Sequence, residues 1–95
     1  MAAILLLRER LVPAETAFVE AVVWQLPRRL PGSAHGYKYR LALIVDRACV
    51  LRYDNETGKG DHKHIGNRET PYRFISLDAL QRDFWADIEA WRKKQ

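Results

Sequence analysis

Ninety-five residues, 47% of them hydrophobic and 29% charged, make one small globular domain and exclude a disordered tail. A single cysteine excludes an intramolecular disulfide and a cysteine-based zinc site. The formal charge of +4 is unevenly placed: residues 76–95 balance four acids with four bases, whereas residues 1–75 carry twelve bases against eight acids. That excess points to an anionic partner, nucleic acid ahead of an acidic protein.

The chain opens with a short apolar run that ends at Arg8, Glu9 and Arg10. It is too short for a signal-peptide core and lacks a basic leader, and no segment approaches the length of a membrane span. The expectation is a cytoplasmic protein without a membrane anchor. Residues 4–11 alternate, with Leu5, Leu7 and Leu11 on one side and Leu6, Arg8 and Arg10 on the other, which suits a strand. Pro13 and the short residues after it turn the chain.

Alternation resumes over residues 18–26, with Phe18, Val22, Trp24 and Leu26 on one face and Val19, Ala21, Val23 and Gln25 on the other. Both faces are fairly apolar, so this strand belongs inside the sheet. Residues 27–36 are a loop by composition. A third strand over residues 37–45 puts Tyr37, Tyr39, Leu41, Leu43 and Val45 on one face and Lys38, Arg40, Ala42 and Ile44 on the other. Asp46-Arg47 offers a tight turn into a fourth strand, residues 48–53, although it lacks the glycine of the best hairpin signals. Cys49 within it reads as a buried, inert thiol.

After a loop that includes a short strand near residues 72–74, the period changes. Leu77, Leu80, Phe84, Ile88 and Trp91 recur at helical spacing. Ser76 is a good N-cap, Asp78 suits the positive helix end, and Arg92, Lys93 and Lys94 suit the negative end. Ile75 is placed to staple against Leu80. Trp85 lies off the main stripe and could join an exposed patch. The expected fold is α+β: one domain over residues 1–95, an antiparallel meander of about four strands (about 4–54), a functional loop (54–75), and an amphipathic helix (76–93) packed on one face.

Residues 53–66 hold the densest chemistry: two histidines, two lysines, three acids and three glycines in fourteen positions. His62 and His64 are two apart, so an extended segment points both to one side. Asp61, adjacent, could orient an imidazole. Two imidazoles beside cations can cleave RNA without metal: one accepts the 2′-hydroxyl proton, the other protonates the leaving oxygen, and cations stabilise the phosphorane. Lys59, Lys63, Arg40 and Arg73 are the candidate cations. The plainer reading is an exposed turn whose histidines do nothing.

A metal site made of the histidines with Asp61 or Asp54 is the competing reading. Lys63 between them opposes it, and no zinc signature is present. Gly58-Lys59-Gly60 lacks the spacing and ending of a nucleotide P-loop; its backbone can still approach an anion, or simply turn. No metal and no cofactor are therefore expected. Lys38 and Tyr39, with Tyr37, Tyr53 and Tyr72, could bind phosphates and stack bases, although tyrosines at alternating strand positions are more often packing. Trp24, Trp85 and Trp91 read as core or interface, and His35 as a loop residue. Asn55-Glu56-Thr57 matches a glycosylation sequon that carries no meaning in a cytosolic protein.

Residues 36–43 (Gly-Tyr-Lys-Tyr-Arg-Leu-Ala-Leu), Tyr53-Asp54-Asn55-Glu56, the Gly58-Lys59-Gly60-Asp61-His62-Lys63-His64 run, Arg68-Glu69-Thr70-Pro71-Tyr72-Arg73-Phe74 and the helical Asp83-Phe84-Trp85 together resemble the TumE-like family of small bacterial proteins. The likeness spans essentially the whole chain with no departure at the motif positions. It implies the toxin of a toxin–antitoxin pair, neutralised by a helix-turn-helix antitoxin. Ribonuclease action at His62 and His64 is inferred by analogy with other small basic toxins and from the loop residues. The alternatives are a binding module without chemistry, or a protein that only holds the antitoxin. A homodimer through an unpaired strand edge and Trp85 is compatible with either.

Overall fold

Strand structure carries further along the chain than its apolar pattern suggests. A computed structural model describes residues 2–14 and 16–94. It contains β1 (Ile4–Ala14), β2 (Ala17–Gln25), β3 (Tyr37–Val45), β4 (Ala48–Glu56), β5 (Gly60–Ile65), β6 (Arg68–Pro71) and α1 (Leu77–Lys93). The strands form one antiparallel sheet in the order β1-β2-β3-β4-β5-β6. Six strands thus stand where the sequence pattern predicts about four, and the difference lies at residues 60–71. Their polar composition reads as loop, but Gly58 and Gly60, both at positive φ, make a turn that returns the chain along β4. The strand expected near residues 72–74 falls instead at Arg68–Pro71. β1 continues through Pro13, and Glu15, in the turn expected after it, lies outside the described residues.

Strand alternation sorts side chains onto two faces. One face carries Ala17, Val19, Ala21 and Val23 from β2, Tyr39, Leu41 and Leu43 from β3, and Leu51 and Tyr53 from β4. All are buried in a single cluster with Leu80, Phe84 and Ile88 of α1. Burying each large side chain here contributes roughly 1.5–3 kcal/mol. The Ser76 hydroxyl accepts from the Ala79 amide at 3.0 Å and starts the helix. Asp46 and Arg47 turn β3 into β4 with φ of 49° and 70°, a primed turn made without glycine.

Two local expectations are corrected. Cys49 is exposed, because a register irregularity between Leu43 and Ile44 in the β3–β4 pairing breaks the strict alternation beside it. Ile75 is 72% exposed and does not staple the helix. Trp85 does as its core-or-interface reading expects: it packs against the core, edge-on to Phe84.

A candidate nucleic-acid face and a buried latch

The pairing register separates residues that the sequence runs together. Arg40 pairs with Asp54, Asp54 with His62, Arg52 with His64, and His64 with Glu69. By alternation these six side chains share the face opposite the apolar cluster, joined by Lys38. Asp61 and Lys63, between and beside the histidines in sequence, project to the other face. His62 and His64 are thus brought together with Arg40 and Lys38, and parted from Asp61, Lys63 and Tyr39.

On the open face both imidazoles approach one carboxylate. His62 Nε2 lies 3.9 Å and His64 Nε2 3.7 Å from Glu69 Oε1, and Lys59 Nζ donates to the same oxygen at 3.4 Å. Desolvation works against ionisation of Glu69, but the hydrogen bond and charge of Lys59, then His64 and His62, outweigh it and lower its pKa. The His62 ring places Nδ1 3.2 Å from the Gly60 carbonyl, an acceptor that holds the proton on Nδ1 and leaves the Nε2 lone pair free. His64 Nε2 instead accepts from Arg52 Nη2 at 3.1 Å. Asp54 Oδ1 is 3.7 Å from His64 Nε2, and Asp54 Oδ2 is 3.0 Å from Arg52 Nε. That last contact is close but misaligned, and the Arg52 Nε–H is left buried without a hydrogen-bond partner.

Of the other cations named from the sequence, Lys38 and Arg40 are engaged. Lys38 Nζ donates to the Asn55 carbonyl. Arg40 is 3.7 Å from Glu20, with both side chains well exposed, so this pair adds little stability. Arg73 is exposed in the segment after β6. Among the described residues no group of three or more His, Cys, Asp or Glu side chains is arranged to hold a metal ion.

The opposite face carries a second polar system. His35 Nε2 donates to Asp61 Oδ2 at 2.8 Å, and the Tyr39 hydroxyl donates to the same oxygen at 2.6 Å. The Tyr37 amide donates to His35 Nδ1 at 3.1 Å, which fixes the tautomer, and the His35 ring stacks on Phe74 with centroids 3.9 Å apart. Both nitrogens of His35 are occupied, so this cluster is a latch and has no free base. It ties the loop of residues 27–36 to β5, together with the Gly58 amide donating to the Pro31 carbonyl at 2.7 Å. Burial first, then the Asp61 hydrogen bond, push the Tyr39 pKa far up. With 1% of its surface exposed, Tyr39 offers no ring face to a nucleobase.

Lys63 Nζ reaches Asp87 of α1 at 2.7 Å, where the Tyr53 hydroxyl also donates. The Tyr72 hydroxyl donates to Asp83 at 2.6 Å. These contacts join β5 and the segment after β6 to the helix. Asn55, fully buried, accepts from the Tyr39 amide at 3.0 Å and donates to the Tyr37 carbonyl at 2.7 Å, completing the β3–β4 ladder with its side chain. Its sequon is therefore inaccessible to a glycan. Residue types and spacing do not point to Arg52, Glu69 or the latch role of His35, since only strand register reveals these partners.

Comparison with known families agrees with the motif reading. The family model described as Toxin TumE matches residues 3–92. The chain belongs to the TumE toxin family. No curated protein and no solved structure matches it. Among the described residues no helix is long and apolar enough to cross a membrane.

Proposed function

We propose that this protein is the toxin of a bacterial type II toxin–antitoxin pair and acts in the cytoplasm on RNA, cleaving it without a metal at the open face of the sheet. The observation that carries this reading is the convergence of His62 and His64 on Glu69 Oε1 beside Arg52 and Lys59. His62 Nε2 accepts the proton of a 2′-hydroxyl as that oxygen attacks the adjacent phosphorus. Protonated His64 gives its proton to the departing 5′-oxygen, leaving a 2′,3′-cyclic phosphate and a 5′-hydroxyl. Arg52, with Arg40 and Lys59 nearby, offsets the charge that builds on the phosphorane. Asp61, Lys63 and Tyr39 serve the fold in this reading. Arg73, outside the cluster, is a candidate contact to flanking phosphates. The neutralising partner is a helix-turn-helix antitoxin. β1, a long edge strand with Ile4, Leu5, Leu6, Leu11 and Val12 exposed, suits the addition of a partner's strand or of a second copy.

A second reading, binding without chemistry, is favoured by one contact: Arg52 occupies the His64 Nε2 that proton transfer needs. Inducible expression of wild type, His62→Ala and His64→Ala, with growth and total RNA followed together, separates the two. RNA loss and growth arrest confined to wild type support cleavage. Arrest with intact RNA in all three supports binding alone, and RNA loss that persists in both variants removes the histidines from the chemistry.

A further inference from the structure

Beside the histidine cluster the open face contains a cavity of about 270 Å³ lined by Val22, Trp24, Lys38, Tyr39, Arg40 and Asp54. Its wall is shared with the cluster, because Asp54 also approaches Arg52 and His64. One row of paired residues runs across the sheet from Arg8 through Val22, Arg40 and Asp54 to His62. In the neighbouring row Trp24 pairs with Lys38 on one side and Leu5 on the other. Trp24 is 37% exposed, unlike the core aromatics Tyr39, Tyr53 and Phe84, which are buried against the helix face. An exposed indole paired with Lys38 near the end of β2, with Arg40 in the adjoining row, is costly to leave in water and is well placed for a flat π partner.

We infer that this cavity is a base-stacking subsite: a nucleobase of single-stranded RNA lies on the Trp24 ring while Lys38 and Arg40 contact the flanking phosphates. The inference rests on the RNA reading above and sharpens its substrate to unpaired RNA. Trp24 on β2 lies three strand spacings from His62 on β5, about 14 Å across the strands at the usual interstrand distance, and two residues further along them. The stacked base therefore stands a few nucleotides from the phosphate held between the histidines, with the RNA running across the strands. A duplex cannot reach Trp24 in this way, because its bases are already stacked on one another.

The test is binding of a short, fluorescein-labelled, 2′-O-methylated RNA, which cannot be cleaved, offered single-stranded and annealed to its complement. Wild type, Trp24→Phe, Trp24→Ala and, as a control on the other face, Trp91→Phe are compared. Preference for the single strand, about tenfold weaker binding by Trp24→Ala, near-complete retention by Trp24→Phe, and no change for Trp91→Phe are expected. Quenching of tryptophan fluorescence by RNA, lost in Trp24→Phe and kept in Trp91→Phe, gives a readout independent of affinity. Tight RNA binding that is indifferent to Trp24 or equal for duplex overturns the subsite and leaves the RNA reading standing. No RNA binding by wild type overturns both.

Discussion

His35 and Asp61, separated by twenty-six residues, meet through a 2.8 Å hydrogen bond with each side chain only 10% exposed. The bond turns Asp61 away from His62, its neighbour in the chain, and commits it to the loop before β3. A carboxylate next to a histidine in sequence is thus its opposite in space, because adjacent strand residues face opposite ways.

Asp61→Ala should therefore behave as a stability variant. It leaves the His35 N–H and the Tyr39 hydroxyl without an acceptor in a largely buried site, at a cost of about 3 kcal/mol. His62→Ala, one position on, should cost no more than about 1 kcal/mol, since its ring makes one long hydrogen bond. Urea unfolding of the two variants beside wild type measures the contrast. Equal stabilities would show that the latch contributes nothing.

Alkaline pH should unfold the protein through its tyrosines. Burial, then hydrogen bonds to Asp61 and Asp87, raise Tyr39 and Tyr53 above their ordinary value of 10.0. The folded state keeps these protons while the unfolded chain releases them. The stabilisation is thus complete below about pH 10 and falls as the pH rises beyond it. Tyrosinate absorbance and circular dichroism followed together should show these two rings ionising only as the fold is lost. Full ionisation of every tyrosine within an intact fold would contradict the burial of their hydroxyls.

Two glycines at positive φ should respond differently to alanine. A Cβ on Gly32 would meet the Gly58 backbone at 3.2 Å, whereas one on Gly66 has nothing within 4 Å. Gly66→Ala should cost only the backbone term, about 1 kcal/mol. Gly32→Ala should cost about 1 kcal/mol more, by displacing the loop of residues 27–36 from the β4–β5 turn. Thermal unfolding ranks them, and an equal loss would mean that the loop yields freely.

Where apolar residues recur with a period, the fold is legible in the sequence itself. Leu41 and Leu43 of β3 and the Leu80-Phe84-Ile88 stripe of α1 are buried where their spacing puts them, because a strand or helix with one apolar face has only one good way to meet a core. The segments that resemble the family, the Gly58-Lys59-Gly60-Asp61-His62-Lys63-His64 run among them, lie within the residues 3–92 that the family model matches. β5 and β6 are not legible, since Gly60–Ile65 and Arg68–Pro71 carry almost no apolar signal and are strands only because β4 offers an edge to β5, and β5 in turn to β6.

Partnership at the candidate site is decided by register. Residue types alone name His62, His64, Lys59 and Arg40. They cannot say that Arg52, Asp54 and Glu69, from two other strands, surround the histidines, or that Asp61 and Lys63 serve the opposite face. Side-chain direction in a strand reverses at every residue, and which strands lie side by side is a property of the whole sheet. The local sequence determined which chemical groups were present, and the tertiary pairing determined which of them meet.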